Sequence, residues 1–140
     1  MALTGASSVD VSSQFDKSTA PPILVVDDDE TIRTLLRLAL EADGYLVLEA
    51  ADGAAALDIV RRTAPGAILV DSRMAGMDGA AFVRAYRALP AGQAPVIMLS
   101  AGELPDDALA GVAVDAAMRK PFDVDDLLAL VGRLAIPSSN

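Results

Sequence analysis

The sequence contains no cysteine, no histidine and no tryptophan, and aromatic residues fill only 4% of its 140 positions. Each absence removes a kind of chemistry. Without cysteine there is no disulfide framework, no thiolate nucleophile and no thiolate-held zinc or iron–sulfur cluster. Without histidine there is no imidazole base, no Ser-His-Asp triad, no histidine metal ligand and no phosphohistidine. Long apolar runs are missing too, and none approaches the roughly 20 residues that span a bilayer. Positive charge is scarce, with 11 basic side chains against 20 acidic ones and a formal balance of −9. That balance disfavours nucleic acid as a direct partner, because phosphate binding needs a basic face. It disfavours an anionic membrane surface for the same reason. The chemistry left open is that of carboxylates, hydroxyls, amines and a hard metal ion.

What is present suffices for one folded domain. Apolar residues make up 53% of the chain, and a chain of this length buries roughly two-thirds of its unfolded surface, enough for a single core without staples. The stretch from Met1 to Pro22 is rich in Ser, Thr, Ala and Asp and has no sustained period. It lacks the basic start and apolar centre of a secretory signal. We therefore expect a disordered tail over residues 1–21, a domain over 22–136, a short end over 137–140, and a soluble, cytoplasmic protein.

After Pro21-Pro22, short apolar runs alternate with amphipathic segments. Ile23-Leu24-Val25-Val26 ends in Asp27-Asp28-Asp29-Glu30. Ile32, Leu35, Leu36 and Ala39 then fall on one helical face, closed by Asp43-Gly44. Leu46-Val47-Leu48 is a second run, and Gly53 to Arg62 a short Ala-rich helix. Ala67-Ile68-Leu69-Val70 ends at Asp71, and a helix follows with Phe82, Tyr86 and Leu89 on one face. Pro95 to Leu99 ends at Ser100. A short helix over Asp106 to Gly111 is possible, then a weak strand, Ala116-Ala117-Met118, leads into Lys120-Pro121. Val124, Leu127, Leu128, Val131 and Leu134 mark the last helix.

Continuous apolar strands alternating with helices imply a parallel sheet covered on both faces. Five such units are too few for an eight-stranded barrel, so the expected fold is an open, doubly wound α/β sheet of five strands. In such sheets ligands bind beyond the carboxyl ends of the strands. The strand-ending residues here are Asp27 and Asp28, Asp71, Ser100 and Lys120. A strand order of 2-1-3-4-5, taken over from known doubly wound sheets, gathers them at one edge.

Such a cluster is electrostatically awkward. Two carboxylates about 5 Å apart repel by on the order of 3 kcal/mol at an effective dielectric of 20. Three such pairs approach the roughly 5–15 kcal/mol stability of a whole domain. A hard divalent cation resolves the conflict, since Mg²⁺ takes one or two carboxylates together with water and a phosphate oxygen. Plainer readings stand beside this one. Acidic residues at a helix start cap amides and complement the dipole, which accounts for Asp29 or Glu30. Ser100 suits a turn, and Arg73 suits a solvated loop. Neither helix capping nor turn chemistry accounts for Asp71, which ends a different strand. Lys120 is informative by composition: the chain has nine Arg but two Lys, and Lys17 lies in the tail. A Lys ammonium is a compact charge suited to a single phosphoryl oxygen, whereas Arg offers a planar fork.

Taken together, Ile23-Leu24-Val25-Val26-Asp27-Asp28, Ile68-Leu69-Val70-Asp71 with Met77-Asp78-Gly79, Leu99-Ser100-Ala101 and Lys120-Pro121-Phe122 resemble the receiver domain of two-component response regulators, a CheY-like, flavodoxin-like fold. The resemblance spans roughly Pro22 to Ala135. It implies that Asp71 is the phosphoacceptor, attacking a phosphoryl group carried on a histidine of a kinase or phosphotransfer partner. It further implies that Asp28, Asp71 and the backbone carbonyl of Arg73 hold Mg²⁺, which Mn²⁺ could replace, with Asp27 helping through a bound water. Ser100 and Lys120 would receive the phosphoryl oxygens, and Lys120-Pro121 would be a cis peptide. The missing histidine fits, because the donor imidazole belongs to the partner.

Three departures from the family pattern stand out. Its switch aromatic, three positions before the Lys, is Ala117 here. The Pro expected after Met74 is Ala75. Ser100 and Lys120 are 20 positions apart, which predicts a truncated fourth helix. The expectation is a working acceptor site with an atypical output surface. Nothing after Leu134 is long enough for an output domain, so in a complete chain output runs through contact with an unknown downstream protein or onward phosphate relay. Three rivals remain. Asp27-Asp28-Asp29-Glu30-Thr31 fits the Asp-x-Asp-x-Thr signature of haloacid-dehalogenase-like phosphatases, with Asp27 as nucleophile and Asp29 as general acid. A flavodoxin-like binding module conflicts with the acidic loop after the first strand, which would repel an FMN phosphate. A pseudo-receiver that binds partners without phosphorylation draws its support from Ala117.

Overall fold

The computed structural model describes residues 19–102 and 113–136. Residues 1–18 of the tail expected over 1–21, the possible helix over 106–111, the truncation expected there and the end over 137–140 lie outside the described residues. Five parallel strands form one sheet: β1 (Ile23–Val26), β2 (Val47–Ala50), β3 (Ala67–Asp71), β4 (Val96–Ser100) and β5 (Ala116–Arg119), in the order β2-β1-β3-β4-β5. The helices among the described residues are α1 (Glu30–Ala42), α2 (Gly53–Arg62), α3 (Gly79–Arg87) and α4 (Val124–Leu134). None of them is long and apolar enough to cross a membrane.

The three central strands are buried along their whole length, which is why they read as unbroken apolar runs. Successive side chains point to opposite faces. Leu24, Val26, Ile68, Val70 and Met98 pack on one side with Ala56 and Leu57 of α2 and with Phe82, Val83 and Tyr86 of α3. Ile23, Val25, Leu69, Ile97 and Leu99 pack on the other with Leu36 and Leu40 of α1 and with Leu127 and Val131 of α4. The edge strands are less buried, and in β5 Ala117 and Arg119 are exposed.

Each helix begins at an aspartate whose side chain accepts amide protons: Asp29 from Thr31 and Ile32, Asp52 from Ala55, Asp78 from Ala81, and Asp123 from Asp125 and Asp126. Such a cap is worth about 1 kcal/mol, so part of the acidic excess serves the scaffold. Strand β2 begins one residue later than the apolar run suggested, because Ile23 pairs with Val47 and leaves Leu46 exposed. The helix α3 stops at Arg87, short of Leu89. That arginine is fully engaged: it donates to the carbonyls of Gly92, Ala94 and Ala113 and to Asp115. Asp115 in turn accepts the amide of Val96. This network fixes the chain just before β5.

Candidate functional site

Register alone brings the acidic residues together. Val26 pairs with Val70 across β1 and β3, so the residues that follow, Asp27 just beyond β1 and Asp71 at the end of β3, stand side by side. Asp28, Asp27 and Asp71 can each direct one carboxylate oxygen so that all three lie within 4.8 Å of one another. Strand β5 supplies the cation. Ser100 pairs with Arg119, the amide of Lys120 donates to the carbonyl of Ser100, and the Lys120-Pro121 peptide is cis. From there the Lys120 ammonium donates to Asp71 Oδ1 at 2.8 Å and to Asp27 Oδ2 at 3.2 Å.

The three carboxylates differ in environment. Asp27 is 1% exposed; its Oδ1 accepts the amide of Asp29 at 2.9 Å. Burial raises its pKa, the Asp29 hydrogen bond and Lys120 work against the rise, and the charge of Asp71 adds to it. Asp71 is buried, while Asp28 is exposed and accepts the amide of Ala75 at 3.3 Å. Burial works to lower the Lys120 pKa, but its hydrogen bonds to Asp71 and Asp27 and their charges outweigh that and raise it. One ammonium held between two carboxylates leaves Asp28 and the second oxygen of Asp71 outside that ion pair.

The other expected residues are placed as follows. Ser100 is buried beside Lys120 in sequence register, and its hydroxyl is engaged in a turn, donating to the Gly102 carbonyl at 3.0 Å and lying 3.3 Å from its amide. Arg73 is exposed in the loop after Asp71. Asp29 caps α1, the plainer of its two readings. Asp125 and Asp126, the late acidic pair a phosphatase would need at a strand end, lie in the first turn of α4 instead. Ala117 is exposed on β5.

Two contributors were given no role in the site by the residue pattern, although Gly79 stood in the Met77-Asp78-Gly79 motif. Gly79 packs directly under the site: a Cβ there would overlap the carbonyl oxygen of Asp71 and lie 3.0 Å from the Cα of Ser72. Its amide donates to the Ser72 carbonyl at 3.1 Å, so the loop leaving Asp71 closes tightly onto the start of α3. Arg33, on α1, donates to the backbone carbonyl of Asp27 at 2.7 Å. An arginine on a helix surface is too common to single out.

The donor set suits a hard cation, being oxygen throughout, gathered from two strands and without a soft ligand. The sequence pattern of the response regulator receiver domain matches residues 23–132. The transcriptional regulatory protein PrrA of Mycobacterium tuberculosis is 39% identical over 118 residues, 83% of this chain and 50% of that protein. The response regulator MprA of Mycobacterium leprae is 36% identical over 114 residues, 80% of this chain and 50% of that one. The chain thus spans about half the length of the curated relatives it matches. Among solved structures, chemotaxis protein CheY4 of Vibrio cholerae superposes with a TM-score of 0.78 at 30% identity, covering 82% of this chain and 98% of that one. The receiver domain of the sensor histidine kinase PA1611 from Pseudomonas aeruginosa, solved with a magnesium ion in its active-site cleft, gives 0.76 at 30% identity, covering 82% and 97%. The strand order, the acidic rim with its bridging lysine and these likenesses agree: the chain belongs to the response regulator receiver domain family.

Proposed function

We propose that the domain over residues 22–136 receives a phosphoryl group on Asp71 from a phosphohistidine of a kinase or phosphotransfer protein. A carboxylate oxygen of Asp71 attacks phosphorus while the P–N bond breaks. The imidazole leaves with the bonding pair, and Asp71 becomes an acyl phosphate. The observation that carries this reading is the Lys120 ammonium shared by Asp71 and Asp27 with Asp28 alongside. Lys120 holds Asp71 in place and offers positive charge where the phosphoryl oxygens arrive. Ser100 stands at the end of the neighbouring strand, and a small rotation of its hydroxyl exchanges the Gly102 contact for a phosphoryl oxygen.

Asp28, Asp71 and the backbone carbonyl of Arg73 are the groups that would hold Mg²⁺ or Mn²⁺, with Asp27 acting through water. Bound there, the ion would neutralise charge on the transferring phosphoryl group. Output then runs through contact with another protein or onward relay of the phosphoryl group. The −9 balance argues against this domain itself gripping nucleic acid, and the soluble, apolar-core architecture suits the cytoplasm.

Incubation with acetyl phosphate and Mg²⁺, read by intact mass, tests the reading. The wild type should gain the mass of one phosphoryl group and Asp71→Asn should gain none. Uptake that survives in Asp71→Asn but vanishes in Asp27→Asn would transfer the nucleophile to Asp27, the phosphatase alternative. No uptake in the wild type, with the fold intact, would leave a pseudo-receiver.

A further inference from the structure

Asp27 is gripped from three directions. Its Oδ1 accepts the amide of Asp29, its Oδ2 accepts the Lys120 ammonium, and its backbone carbonyl accepts Arg33 Nη1 at 2.7 Å. The third contact has a backbone reason. The amide of Asp27 is still paired with the Ala50 carbonyl of β2, but the ladder between the strands ends at Val26 and Ala50. The Asp27 carbonyl therefore emerges where β2 no longer supplies a donor, in a residue that is almost wholly buried. A buried carbonyl requires a partner, and Arg33 reaches back from α1 to provide one.

Arg33 is itself anchored. Its side chain is 17% exposed and its Nε donates to Glu49 Oε1 at 3.1 Å, while Glu49 Oε2 accepts Arg37 Nε at 2.9 Å. Arg33 and Arg37 are one turn apart on α1, where like charges repel. Glu49, projecting from β2, takes one guanidinium on each oxygen and so makes that pairing tolerable. The guanidinium of Arg33 approaches the main chain of Asp27 rather than its carboxylate. It fixes the strand end without occupying any oxygen that a cation or Lys120 would use.

We propose that Arg33, anchored by Glu49, is a positioning residue for the acidic site: it sets the direction in which Asp27 and Asp28 leave β1. This rests on the Mg²⁺ reading above and goes beyond it, since neither Arg33 nor Glu49 belongs to the acidic cluster. The test is Mg²⁺ binding by calorimetry, with thermal unfolding in metal-free buffer measured beside it. Arg33→Met keeps the apolar stem and removes the donors. Its dissociation constant for Mg²⁺ should rise about tenfold, the lower end of the ~10–100-fold typical of groups that orient metal ligands. Arg33→Lys, which cannot serve both acceptors with a fork, should fall between. Glu49→Gln should weaken binding less, and the double variant Arg33→Met/Glu49→Gln should match Arg33→Met alone, because both act through one contact. In NMR spectra the Asp29 amide, bonded to Asp27 Oδ1, should shift in Arg33→Met.

The outcomes separate cleanly. A wild type that binds no Mg²⁺ sinks the metal reading and this inference with it. A wild type that binds, with Arg33→Met binding equally well, leaves the metal reading intact and overturns the positioning role, whatever happens to the melting temperature.

Discussion

Strands β1 and β5 both end at the same cluster, yet they are held there by different forces. All four side chains of β1 are at most 1% exposed, between α1 and α4 on one face and α2 and α3 on the other. Burial of that kind stabilises by roughly 1.5–3 kcal/mol per large aliphatic side chain. Strand β5 contributes two alanines, a methionine and an arginine, with alternate positions exposed. Beyond its ladder with β4 and the packing of Ala116 and Met118 against the core, it is held by polar contacts at its two ends, the Arg87 network before it and Lys120 after it. Asp27, Asp28 and Asp71 thus lie at the ends of fully buried strands, and Lys120 follows the strand the core covers least. We therefore expect a change of charge at the carboxylates to loosen β5 before β1.

Removing the cation is the strongest way to break that contrast. In Lys120→Met, phosphoryl uptake should fall on the order of 100-fold, the scale of losing one preorganised donor to a developing charge. In metal-free buffer the melting temperature should drop, because Asp27 and Asp71 are left as buried charges without a counter-ion. Mg²⁺ should restore much of it. Amide exchange should quicken in β5 and stay unchanged in β1; equal acceleration in both would show that the strands form one rigid unit. The pH dependence gives an independent check. The folded-state pKa of Lys120 is raised above its ordinary 10.5, so its stabilisation is fully present below 10.5 and is lost as pH climbs through the raised value. The Met variant should lack that alkaline loss.

Asp27 tests the rigid side, with a smaller effect of opposite sign. Its folded-state pKa is raised above 3.8, first by burial. By linkage, its contribution is most favourable below 3.8 and declines as pH rises through the raised value. At neutral pH the ionised carboxylate thus lowers the stability of the metal-free protein. Asp27→Asn should raise the melting temperature in metal-free buffer at pH 7, and the gain should vanish as pH falls toward 3.8. The same substitution should weaken the response to Mg²⁺. A lower melting temperature at pH 7 would mean that the Asp29 and Lys120 bonds outweigh burial.

How far the residues announce this architecture follows from the same contrast. Full burial leaves unbroken apolar runs, so β1, β3 and β4 and the acids that end them were legible, as was the alternation that implies a parallel sheet. Strand β5 left only a weak run because its alanines carry little apolar surface, and it was placed chiefly by Lys120-Pro121. The boundaries of β2 and α3 moved because pairing with Ile23 and the tight approach of Gly92 to Tyr86 are tertiary facts. Within the site, the carboxylates and Lys120 were legible because they are unusual at strand ends. Arg33 and Glu49 were not, because each matters only through a contact with backbone or with residues elsewhere in the chain. Ser100 illustrates the converse: its residue type allowed both a phosphoryl contact and a turn, and the turn accounts for its hydrogen bonds.

The smallest expected effect is the one that sharpens the comparison most. Ala117 is exposed on β5. A methyl group there has no second rotamer to exchange with, so the link between site and β5 runs through the Lys120 main chain and its bond to the Ser100 carbonyl. Ala117→Tyr should therefore leave phosphoryl uptake unchanged and alter stability by no more than about 0.5 kcal/mol, as exposed substitutions generally do. Intact-mass time courses and thermal melts with and without Mg²⁺ measure both. Were uptake to change severalfold, side-chain packing at 117 would itself feed back on the acids, and β5 would be coupled to the site by its exposed face as well as by its lysine.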